Sequence, residues 1–143
     1  MDKQQMEAKN FLMKAYFVDQ RINRKLEEVA SLNELARKAT SIVSDMPGNP
    51  NRNIHRNEDI IVKILELQDM IQADANELLN LKQSICRCIK QIDDPEGQII
   101  LEERYLKMRK WEHIAMMLNM SMRKIFRMHD EMLKKIVILE SWQ

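Results

Sequence analysis

The chain has 143 residues, 45% of them hydrophobic and 31% charged, enough for one core and a solvated surface. Two glycines and three prolines leave too little turn chemistry for a β sandwich or barrel and no glycine-rich phosphate loop. A net charge of +1 supplies no global field for nucleic acid, so any such binding must come from a local patch. Two cysteines are too few for a disulfide scaffold, and no apolar run is long enough for a membrane span. An all-α protein of the cytoplasm, without membrane contact, is the expectation.

Turn formers cut the chain into three. Residues 45–57 read as a loop, and Asp93-Asp94-Pro95-Glu96-Gly97 as a helix stop and restart, with Asp94 as cap and Pro95 in the first helical position. Before the loop, residues 4–44 carry Phe11, Ala15, Val18, Ile22, Val29, Leu32, Ala36, Ala39 and Val43 in alternating steps of four and three, with Lys25 the one polar residue on that line. Leu12, Leu26, Leu35 and Ile42 widen the stripe. Residues 58–92 repeat the device through Ile61, Ile64, Ile71, Ala75, Leu78, Ile85, Ile89 and Ile92, interrupted by Gln68 and Lys82. Two such stripes predict a long helical hairpin or coiled coil over 1–92, the stripes facing each other across the 45–57 loop, facing a second copy of the chain, or both; an antiparallel pair that also forms a homodimer is the expectation.

Residues 93–143 predict a three-helix module, with helices at about 95–107, 111–118 and 121–140. The basic bias lies here, with nine Lys and Arg against seven Asp and Glu in 96–143. A two-turn helix, a tight bend and a longer helix is the outline of a helix-turn-helix. Ala115 is small where two helices must approach, and Ile114 and Leu118 face inward. Asn119 suits a left-handed bend, Met120 tucks inward and Ser121 can cap the next helix. Burying Ile125, Met128 and Met132 leaves Met122, Arg123, Lys124, Phe126 and Arg127 outward; with Ser121 these are the base-reading candidates for double-stranded DNA. Lys107, Arg109 and Lys110, just before the short helix, are the candidates for phosphate contact. Trp111 reads as an aromatic anchor, and Phe126 as either exposed or packed on the first segment or a partner.

The runs Glu103-Arg104-Tyr105-Leu106, Trp111-Glu112-His113-Ile114-Ala115 and Ser121 to His129 resemble region 4 of sigma-70-type factors. More narrowly, they resemble small regulators encoded by phages of Gram-positive bacteria, the late-operon activators among them. The resemblance covers about 45 residues, with Lys110 in place of the usual Ser or Thr cap and Asn119 in place of the frequent bend glycine. It implies a transcription regulator bound to DNA, or an adaptor docked on RNA polymerase; a coiled-coil assembly protein is the third reading.

Other chemistry finds little support. Cys86 and Cys88 lie two residues apart on a helix, about 200° round its axis, which cannot chelate one metal. No Ser/His/Asp grouping supports nucleophilic catalysis, Glu102 and Glu103 read as surface charge, and neither an enzyme nor a cofactor is expected.

Overall fold

The computed structural model describes residues 1–43 and 50–138, with side chains at 1–39 and 56–138. All described regular structure is helical: α1 (Lys3–Val43), α2 (Pro50–Lys90), α3 (Pro95–Leu101) running into a π-turn (Glu102–Leu106), α4 (Trp111–Leu118) and α5 (Met122–Leu133). No described helix is long and apolar enough to cross a membrane. The protein is all-α, with two long N-terminal helices ahead of a group of short ones.

Boundaries follow local chemistry. Asp2 and Gln5 start α1 with reciprocal bonds of 2.8 Å, each side chain accepting from the other's backbone N–H. α2 begins at Pro50, seven residues before the expected loop ends, because proline suits a first helical turn. The remainder of that loop, 44–49, lies outside the described residues. Asp94 caps α3 by accepting from the Gly97 N–H at 3.1 Å, with Pro95 in the first position. α5 stops at Leu133 rather than running to 140; Lys134, Lys135 and Ile136 turn back onto Glu131, Met132 and Leu133 through i→i−3 bonds. The last residues of the expected helix lie outside the described residues.

By packing, residues 1–18 and 77–143 form one compact unit and 19–76 another. In the first unit Ala8, Phe11, Leu12 and Ala15 of α1 share a core with Ile85, Cys88 and Ile89 of α2 and with Leu101, Tyr105, Met132, Leu133 and Ile136. Gln5 and Gln4 tie the start of α1 to the end of α5, donating to the Asp130 carbonyl at 2.8 Å and the Lys134 carbonyl at 3.2 Å. Those are carbonyls that a helix terminus leaves without partners of its own. Gly97 brings α3 close to α5: a Cβ there would stand 2.2 Å from Met132 Sδ.

The second unit is a two-helix seam. On α1 the expected stripe is half-buried at Ile22, Val29, Leu32, Ala36 and Ala39, while Leu26 and Leu35 are exposed. On α2 the seam runs through Ile60, Ile64, Leu67 and Ile71; Ile61 and Gln68, placed on it by the sequence, lie outside and exposed. Two overlapping apolar lines share Ile64 and Ile71, and packing selects the one that contains Asp74. Asp74 faces Lys25, which bonds it directly, and Arg21, 3.0 Å away. The polar residue interrupting the α1 line is thus matched by a carboxylate on α2. The Lys25 ammonium holds the Asp74 carboxyl below its ordinary range.

Candidate nucleic-acid interface

The bend between α4 and α5 is built from backbone chemistry. Asn119 takes the left-handed conformation (φ 53°, ψ 47°), which Asn tolerates better than most residues with a Cβ. The Met120 N–H then reaches the Ala115 carbonyl at 3.0 Å and the Asn119 N–H the Met116 carbonyl at 3.2 Å, closing the end of α4. Ser121 follows in extended conformation, and its Oγ accepts from the Lys124 N–H at 3.1 Å. Lys110 offers α4 no side-chain cap, as its residue type predicts.

Ile100, Ile114, Ala115 and Ile125 form the buried centre of this group, with Trp111, Leu118, Met120, Met122 and Met128 packed around them. α5 thereby presents two different sides. Inward lie Ile125, His129, Met132 and Leu133. Outward on its first two turns lie Arg123, Lys124, Phe126 and Arg127, all exposed, with Ser121 exposed just ahead. Met122 leaves the expected outward set, since it is half-buried against the core. Phe126 lays its ring edge-on to Trp111 at 5.3 Å, so it packs within its own module while remaining 43% exposed. Beyond those turns the outward side becomes mixed in charge, with Glu131 and Lys134 exposed.

Two sets of cations in this region differ. Among the described residues, the side chains of Arg123, Lys124 and Arg127 have no ion-pair or hydrogen-bond partner. Lys107 and Arg109 do have one: both hold Glu103, at 2.8 and 2.6 Å. Glu103 is therefore not ordinary surface charge. It is 7% exposed, and the hydrogen bond from Lys107 draws its carboxyl below the ordinary range against the opposing effect of burial. The i,i+4 spacing of Glu103 and Lys107 is a signal the sequence carried. The segment they brace turns at Met108 (φ 58°), with the Arg109 N–H bonded to the Glu103 carbonyl at 3.0 Å. Lys110 is exposed beside them.

A buried polar cluster steadies the site from behind. His129 is 4% exposed, and it stands on the inward helical line between Ile125 and Met132, where its position could have been read. Its Nδ1 lies 3.1 Å from Asp130 Oδ1 and its Nε2 2.6 Å from the Tyr105 hydroxyl. An ionised carboxylate only accepts, so the tautomer serving both contacts has Nδ1–H donating to Asp130 and Nε2 accepting from Tyr105. Burial pulls the imidazole below its ordinary value, opposed by Asp130, and pushes Tyr105 up to about 12. Trp111 stands edge-on to His129 at 4.9 Å, and the Arg104 guanidinium lies over the indole, 4.7 Å from the ring centre. Trp111 is the anchor of α4.

The described residues contain no grouping of three or more His, Cys, Asp or Glu able to hold a metal ion. Cys88 is buried, its Sγ 3.5 Å from the Val137 carbonyl, and burial raises its thiol to about 11.

Fold and site define an all-helical protein whose short C-terminal helices form a packed group bearing an exposed basic face. Residues 51–136 match a family described as a protein of unknown function, DUF1492, and the chain belongs to that family. Searches of curated proteins and of solved structures returned no match.

Proposed function

We propose that the protein is a sequence-specific DNA-binding regulator of transcription, of the phage-regulator kind its C-terminal third resembles, with the start of α5 entering the major groove. The observation that carries this reading is the contrast between cations. Arg21, Lys25, Lys107 and Arg109 are spent on carboxylates, whereas Arg123, Lys124 and Arg127 stand together, exposed and without partners among the described residues. Ion pairing is easily available to a chain this rich in Asp and Glu, so a cluster without it is a place where an external anion gains most.

The helix also has the geometry the task requires. Its inward side is locked by Ile125 and His129, and its first turn is fixed by Ser121, so outward side chains project from a rigid base. Arg123 and Arg127 are one turn apart on one face, the spacing at which two guanidinium groups reach neighbouring base edges. Lys124 stands to one side for a phosphate or a base. Lys110 is the better phosphate candidate of the linker set, because Lys107 and Arg109 would have to share their charge with Glu103. A weakly basic reader gains affinity when two copies act together, through the raised effective concentration of the second binding event.

The test is selection of duplexes from a random pool, followed by titration of the winning site over a range of salt. Replacing Arg123 and Arg127 together by alanine should weaken binding by about 1–3 kcal/mol for each base-reading guanidinium removed. The same change should relax base preference at the positions those residues read, whereas Lys110→Ala should lower the slope of log K against log salt by about 1. Unaltered binding by the folded double variant would exclude the groove-reading role. Absence of any salt-dependent duplex binding by the parent chain would favour an adaptor that docks on protein.

A further inference from the structure

α2 carries two helical stripes side by side; the described residues cover one of them, and of the other only Ala75 is half-buried. Ile60, Ile64, Leu67, Ile71 and Asp74 form the seam with α1. Beside it run Ile61, Leu65, Gln68, Gln72, Ala75 and Leu79, again in alternating steps of four and three, within a strip about 80° wide. This second stripe contains no charged residue, in a chain of which 31% is charged. Its large apolar members are open to solvent: Ile61 is 53%, Leu65 56% and Leu79 57% exposed, with Val62 at 53% beside them. Isolated exposed leucines need no explanation, but an uncharged stripe along several helical turns does.

The stripe also reads alike from both ends: two apolar residues, two glutamines, two apolar residues. A pattern with that symmetry is complementary to itself reversed. An antiparallel two-fold axis between Gln68 and Gln72 sets Ile61 against the partner's Leu79, Leu65 against the partner's Ala75 and Gln68 against the partner's Gln72. There the side-chain amides can donate to and accept from one another. An interface in which each residue meets its counterpart twice is the signature of a two-fold homodimer. The surroundings disfavour other occupants. Asp69 borders the stripe and residues 48–95 hold eight Asp and Glu against six Lys and Arg, which repels nucleic acid and anionic membranes.

We infer that this stripe of α2 is the surface on which a second copy of the chain docks, antiparallel, with its axis between Gln68 and Gln72. The inference stands independently of DNA binding.

Sedimentation equilibrium of the full chain tests it. An interface confined to one helix face per copy should give a dimer dissociating in the roughly micromolar range. Leu65→Glu should weaken the dimer at least about tenfold with helix content unchanged in circular dichroism, since it places a charge in the seam of both copies. Met70→Glu, exposed and half a turn round the same helix, should leave association as it was. A second variant, Gln68→Glu with Gln72→Glu, puts four like charges at the axis, so it should dissociate the dimer at low salt and recover as salt rises. A parent chain that stays monomeric up to about 0.5 mM, a dimer indifferent to both stripe variants, or one that Met70→Glu disrupts equally would overturn the inference.

Discussion

Residues 1–18 with 77–138 and residues 19–76 draw on the same two helices yet are stabilised differently. In the first unit α1 and α2 meet α3, α5 and the π-turn, so Leu12, Ile85, Ile89, Leu101 and Leu133 are wholly enclosed. In the second, each helix has one neighbour among the described residues, and only Ile60 and Leu67 are fully buried. A helix pair can cover one stripe on each member and no more. The seam there also holds a matched ion pair, Lys25 with Asp74. Depth of burial, then, varies along single unbroken helices.

The contrast is broken most directly by truncation. Leu133→Ala should cost about 2–5 kcal/mol in urea unfolding, because the surrounding core cannot collapse into the cavity. Leu67→Ala should lie at or below the lower end of that range, since the seam has room to close; equal costs would show that the two units are packed alike. Gly97→Ala should cost about 1–3 kcal/mol, because Met132 is enclosed and has little space to yield to a new Cβ.

Asp74→Ala should cost about 1–2 kcal/mol, between the values for exposed and fully buried pairs, as it strands Lys25 in the seam. Its mark is regional: amide exchange should accelerate in 19–39 and 56–76 and stay unchanged in 8–15 and 85–101. Acceleration throughout would show that the two units unfold as one. The smallest effect belongs to pH. His129 has a folded pKa below its unfolded value of about 6.5, so its contribution is fully present above that value and is lost as pH falls through and below it. Melting temperature should therefore begin to drop below about pH 6.5. Replacing His129 by glutamine should flatten that part of the profile whatever it does to absolute stability.

Much of the candidate site was legible in the sequence. Asn119, Ser121, Asp94 and Pro95 act through their own backbone preferences, so α3 begins and α4 ends where the sequence places them and the bend into α5 is formed as expected. The outward placement of Arg123, Lys124, Phe126 and Arg127 follows from helical periodicity once Ile125 is taken as inward. Glu103 and His129 were harder. Each is a polar residue of a kind usually exposed, and only partners brought from other turns or helices, Arg109 and Tyr105, make their burial tolerable. Met122 was misplaced because periodicity gives a direction and not the reach of the neighbouring core.

The sequence by itself determined the helices, their caps and the sharp bend, since these depend on residues within a few positions of one another. Only the tertiary structure decided which of two overlapping stripes on α2 pairs with α1, which cations are taken up by carboxylates, and how far the C-terminal core reaches into the long helices. Those outcomes depend on burial and Coulomb attraction between residues distant along the chain, where local propensity carries no information.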